Sequence, residues 1–201
     1  VVVFNKQFSQ SQELAEYYAN KRGIPGDRLI GLDLPIEDSI SREQYDQLIR
    51  KPLFETFVRR GWWKLAASQI TDATSNQPRQ AMLVGESGVR VVCLMRGVPF
   101  QIRREQEKPV TSKEDEASVD SELATLGLPR FPLAGAVRNP YFDQNVRFQI
   151  YQGAQGMLLV GRLDAPDADI VKRMIDDAVR VEQQGLRGRA VIDLAQKSGA
   201  Y

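Results

Sequence analysis

The sequence predicts a three-layer α/β domain: a mostly parallel sheet of about five strands flanked by helices. Three observations carry this. The run at 89–100, VRVVCLMRGVPF, places Val89, Val91, Cys93 and Met95 on one side of an extended chain and Val92 and Leu94 on the other. A strand apolar on both sides is covered on both sides, the habit of parallel sheets between helix layers. Further short apolar runs near Val1, Arg28, Met157 and Ala190 are separated by helical patterns, which makes right-handed parallel crossovers the expected connections. The runs also stop abruptly, at Asn5, at Pro35 and at Gly97 with Pro99, because Pro cannot donate to a ladder and Gly weakens one.

Taken in order, residues 1–4 form the first strand. A helix follows from about Ser11 to Arg22, with Leu14, Ala15, Tyr18 and Ala19 as its apolar stripe. Ser9 and Ser11 are its candidate caps, and Gly23 and Pro25 end it. Residues 28–34 read as the second strand. Ser41 and Gln44 have capping-box spacing, with Ile40 and Tyr45 placed as a hydrophobic staple. Pro52 interrupts this helix near Arg50 and opens a second segment that runs to Gly61.

Trp62 and Trp63 suit either core packing, the commoner fate of Trp, or an aromatic platform for a carbohydrate or peptide. Residues 68–80 are polar and without period and read as a loop, followed by a short strand at 81–84. The turn GESG at 85–88 lacks the Lys-Ser/Thr and the following helix of a phosphate loop.

Residues 103–117 are dense in charges of alternating sign and read as a solvated loop. A short helix follows, capped by Ser118 or Asp120, with Asp120 alternatively facing the strand ends. Residues 128–148 are irregular. Residues 157–160 form a buried strand leading into Gly161-Arg162-Leu163-Asp164. The last helix starts at Pro166, Asp167 and Asp169, shows an apolar face of Ile170, Val171, Met174, Ile175, Ala178 and Val181, and ends at Gly185. A final strand at 190–192 ends at Asp193. The whole, 1–201, reads as one domain with loop-rich insertions at 66–88 and 103–156.

Composition narrows the functional classes. The chain of 201 residues has a formal net charge of +1, which gives no electrostatic case for nucleic acid or an anionic membrane. No apolar run approaches the ~20 residues of a transmembrane helix. With no His and one Cys, the chain offers no Ser-His or Cys-His dyad, no His-ligated zinc and no internal disulfide. Cys93 is mid-strand, where a thiol is usually a small buried hydrophobe. No metal or cofactor is called for. The chain opens inside a strand without Met and closes just after another, so it reads as the N-terminal part of a longer protein. A removed signal peptide, and hence an exported protein, would explain the start.

In open parallel sheets ligands bind beyond the carboxyl ends of the strands. Asn5, Arg96, Arg162, Asp164 and Asp193 fall there, with Asp120 a candidate to join them. Arg96 reads either as a clamp for an anion or carboxylate or as a salt-bridged rim residue.

The segments YYANKRGIP at 17–25, MRGVPFQI at 95–102, SVDSEL at 118–123, NPYF at 139–142 and GRLD at 161–164 resemble a bacterial family of conserved hypothetical proteins. That resemblance brings no assigned activity, and members of the family continue well beyond Tyr201. More distantly, the order of Asp120-Ser121, Gly161-Arg162 and the helix from Asp167 is similar to gingipain-type cysteine peptidases. This implies a caspase-like fold and a hydrolase whose catalytic His and Cys lie beyond this chain; Cys93 does not match their nucleophile, and Asp120 corresponds at most to a residue near that site. The alternatives are a non-catalytic binding or surface-interaction domain with a peptide or glycan ligand, and a flavodoxin-like phosphate binder, placed last because no Gly-rich strand-to-helix loop is present.

Overall fold

The computed structural model describes residues 1–71, 77–104, 117–128, 156–186 and 188. Among the described residues its centre is a four-stranded, all-parallel sheet. β1 (Val2–Asn5) leads through α1 (Ser9–Arg22) to β2 (Leu29–Leu32). A two-residue strand, β3 (Ser39–Ile40), precedes a helical stretch made of α2 (Arg42–Gln44), a π-helical segment (Tyr45–Arg50) and α3 (Lys51–Arg59). Next come a hairpin of β4 (Trp63–Thr71) and β5 (Pro78–Ser87), the central β6 (Val91–Met95), and the short β7 (Gln101–Ile102) and β8 (Ala117–Ser118). The described chain continues with α4 (Val119–Ala124), β9 (Leu159–Leu163) and α5 (Ala168–Gln184).

The sheet order is β2-β1-β6-β9, so the Cys93 strand is internal, with parallel partners on both sides. Four of the expected strands are thus in place; the one at 190–192, with Asp193, lies outside the described residues. Two apolar layers sandwich the sheet. Val3, Ile30, Leu32, Val92 and Leu94 pack with Ile49, Leu53, Phe57 and Leu123 on one face. Val2, Phe4 and Met95 pack with Leu14, Ala15, Val171 and Ile175 of α1 and α5 on the other. The alternation of strand side chains therefore assigns each strand residue to a helix layer.

Several local expectations hold, each for a physical reason. Ser41 and Gln44 close a reciprocal capping box at 3.0 and 2.9 Å. Gly23 ends α1 in the left-handed conformation at φ 62°. A new segment, α3, does open beside Pro52, but contrary to expectation the helical backbone continues through it. The turn before it widens instead, with the Lys51 N–H reaching back to the Asp46 carbonyl five residues earlier, which eases the crowding a proline ring imposes on the preceding turn.

Other expectations are corrected. Of the stretch read as a loop at 68–80, residues 68–71 and 78–80 belong to a long antiparallel pair of strands, which pairs from Trp63↔Ser87 to Thr71↔Pro78 with one register shift between Lys64 and Leu65. Ser11 does not cap α1; it is buried, and its hydroxyl accepts from the Asn5 amide at 3.0 Å. Ser118, not Asp120, caps α4 by accepting from the Ser121 amide. β9 starts two residues later than expected and contains Arg162 rather than ending before it.

Candidate functional site

Asn5 ends β1 and is fully buried. Its Nδ2 donates to the Pro35 carbonyl at 3.0 Å and the Gly97 carbonyl at 2.8 Å, and its Oδ1 accepts from the amides of Gln7 (3.0 Å) and Leu34 (3.2 Å). One side chain therefore ties together the loops leaving β1, β2 and β6. All its amide hydrogens and both acceptor directions are used.

Arg96 leaves the end of β6 toward the α1/α5 face. Its Nε donates to the Ala165 carbonyl at 2.8 Å, one terminal nitrogen to the Pro166 carbonyl at 2.7 Å and the other to Gln10 Oε1 at 2.8 Å. The guanidinium carbon stands 4.9 Å from the centre of the Phe8 ring. Asp164 lies at the edge of ion-pair range, 3.9 Å away, and its Oδ1 accepts from the Ala165 amide. Arg96 thus clasps the loop that launches α5.

Arg162 lies opposite Leu94 in the register and leaves the sheet on the other face. It engages Asp120 with two nitrogens, closest at 2.6 Å, and donates to the Val98 carbonyl at 2.5 Å and the Pro99 carbonyl at 3.1 Å. A second pair, Arg42 with Glu122 at 3.0 Å, holds α4 from the helical side. The structure therefore brings Asp120 to Arg162 and Asp164 near Arg96, but it sends the two arginines to opposite faces. The strand-end edge is a set of braces that close the fold, with its donors largely spent on protein carbonyls and carboxylates.

The other flagged residues have structural places too. Trp63 is 1 % exposed, in edge contact with Phe54 and Phe57, its indole N–H donating to Ser87 Oγ at 2.9 Å. Trp62 is half-buried, with the guanidinium carbons of Arg28 and Arg60 at 4.3 and 5.0 Å from its ring centre. The pair forms no flat aromatic platform, and Tyr141 lies outside the described residues. Burial pushes the Cys93 thiol up to about 11, so it is protonated at neutral pH and is a poor nucleophile. Among the described residues no cluster of His, Cys, Asp and Glu is placed to hold a metal ion. No described helix is long and apolar enough to cross a membrane.

What the sequence did not single out is a groove of about 470 Å³ along the β2 margin of the sheet. Its floor is β2 and its wall is formed by Leu48, Pro52, Thr56, Arg59 and Arg60. Among the described residues β2 is an edge strand. The Leu32 carbonyl accepts from the Lys6 amide, so Leu32 and Ile30 turn their backbone groups toward β1. Gly31, between them, turns its N–H and C=O away from β1, toward the groove. Apolar runs signalled β2, but whether it lies inside the sheet or at its margin depends on pairing, which periodicity does not report. Compared with known proteins, the chain matches no family model, no curated protein and no solved structure.

Proposed function

We propose that this α/β unit is a non-catalytic interaction domain that captures an extended peptide by strand addition at the β2 margin. The observation that carries the reading is the edge of β2, open among the described residues, beside a groove walled by α3. In strand addition, main-chain hydrogen bonds to an edge supply affinity and side-chain pockets beside it supply selectivity. Gly31 offers one donor and one acceptor, and four residues of β2 give a pairing length of about 13 Å at ~3.3 Å per residue. The groove volume falls in the ~300–1,000 Å³ range of ligand clefts. A glycan would need exposed aromatic faces, and Trp63 supplies none.

The strand-end edge supports this reading by being occupied. Chemistry there would require Arg96 to leave two carbonyls and Gln10, or Arg162 to leave Asp120 and two carbonyls. The hydrolase reading implied by the gingipain resemblance puts its catalytic groups outside this chain and draws nothing from these residues.

The test is selection of peptides about eight residues long from a random displayed library, a length that overhangs the β2 edge at both ends. Backbone amide exchange is then followed by NMR with and without a selected peptide. The expected result is slowed exchange at Gly31, with binding abolished when alternate amides of the peptide are N-methylated. Peptides that bind without slowing Gly31 exchange, or a library that yields no binder, would refute the reading.

A further inference from the structure

Three arginines gather where the β2 groove begins. Arg28 immediately precedes β2, and Arg59 and Arg60 end α3 and line the groove. Trp62 draws two of them together: the guanidinium carbons of Arg28 and Arg60 both lie within 5.0 Å of its ring centre. Arg60 also donates to the backbone carbonyl of Asp27, and Arg59 to Thr56 Oγ1 at 3.3 Å.

Among the described residues none of the three has a carboxylate within ion-pair distance. Several cations elsewhere on the molecule do: Lys21 with Asp176, Arg22 with Glu182, Arg42 with Glu122, Lys172 with Glu13. Asp27 sits beside the cluster but gives Arg60 its carbonyl rather than its side chain. The C-terminus of α3 contributes about half a negative charge, well short of three guanidinium groups. The acids along the groove are already matched. Asp33, which follows β2, pairs with Lys6 at 2.8 Å, and Glu55 of the wall stands 3.9 Å from Lys51. The uncompensated charge of the groove is thus cationic and lies beside Leu29.

We infer that the peptide taken by this groove is acidic, with its carboxylate side chains placed at the end that lies alongside Leu29, against Arg28, Arg59 and Arg60. The inference rests on the strand-addition reading and adds the charge class and placement of the ligand. Guanidinium groups present paired donors that match a carboxylate, and a cluster already oriented by an indole loses less side-chain freedom on binding. Complementary charge at a rim also steers encounter and suppresses partners of the wrong sign.

The experiment uses fluorescein-labelled peptides of alternating Thr and Val that carry a terminal run of Glu, of Gln or of Lys. Binding is read by fluorescence anisotropy and located by Gly31 amide exchange. The Glu peptide should bind about tenfold or more tightly than the Gln peptide at low salt, with the advantage shrinking as salt screens it. The double substitution Arg59→Glu and Arg60→Glu, on exposed positions and checked for folding by circular dichroism, should invert the preference toward the Lys peptide.

Equal binding of the Glu and Gln peptides, with Gly31 protected by both, would overturn this inference and leave strand addition standing. Failure of every peptide to protect Gly31 would overturn both. A single-stranded oligonucleotide that displaces the Glu peptide at equal concentration would overturn the assignment to a peptide.

Discussion

Asn5 is where a single side chain does most to join the fold. Its primary amide suits the place because two carbonyls and two amides converge on it, and only a group with two donors and two acceptor lone pairs satisfies all four. Asn5→Asp replaces the donors with a second acceptor facing the Pro35 and Gly97 carbonyls. The expected cost at neutral pH is about 3 kcal/mol or more, the penalty for buried groups left unpaired. Protonation returns one donor, so the gap to the parent protein should narrow as pH falls, which urea-midpoint titrations of both proteins at each pH would reveal. A constant gap would place the function of Asn5 elsewhere. The sequence marked Asn5, Arg96 and Arg162 as strand-end residues; Asn5 ends β1 and Arg96 follows β6, but Arg162 lies inside β9. Their partners were not legible, because those partners are mostly backbone carbonyls brought close only by the crossovers.

The β4–β5 hairpin was the element least visible in the sequence. A strand shows itself by alternation only when one face is buried. Along most of the arm neither face is: Ala66, Ala67 and Gln69 on one strand and Arg79, Gln80 and Met82 on the other are exposed. Its base is different. Trp63 and Val84 are buried in the main core. Trimming the arm beyond Leu65 and Val84 and closing it with Asn-Gly, a favoured two-residue turn, should therefore leave the melting temperature within a few degrees. By contrast, Trp63→Ala should cost about 3–5 kcal/mol as a large-to-small core change. Calorimetry on the two variants tests both statements, and a large loss on trimming would show that the arm packs more than its tip suggests. The π-helical turn before Pro52 was equally hidden. Pro52 announced a disturbance, but the apolar face on both sides of it kept the helix continuous.

At the scale of the molecule, α1 and α5 cover one face of the sheet and are stitched to each other by charge. Asp176 accepts from Lys21 and from the Tyr17 hydroxyl, each at 2.7 Å, and Glu182 pairs with Arg22. These contacts hold both carboxyls below the usual range. A carboxyl with a depressed folded value binds protons more readily when unfolded, so its contribution is full above the unfolded value, about 4, and fades as pH falls through the folded value. Urea midpoints should drop between pH 5 and pH 3, and the drop should be shallower in Asp176→Asn. Identical pH profiles would mean that the carboxylates do not hold the helix layer.

Local chemistry in the chain determined the parallel sheet, the apolar cover on both faces of β6, the capped starts of α2, α4 and α5 and the polar character of the strand ends. Each of these follows from side-chain periodicity or from a residue's own backbone preferences, which act over a few positions. Tertiary structure alone decided that Arg96 and Arg162 serve the fold, that β2 lies at an open margin among the described residues, and that Arg28 joins Arg60 around Trp62. Those outcomes depend on which segments meet in space, and groups separated by about thirty residues acquire a common electrostatic surroundings only when the crossovers have closed.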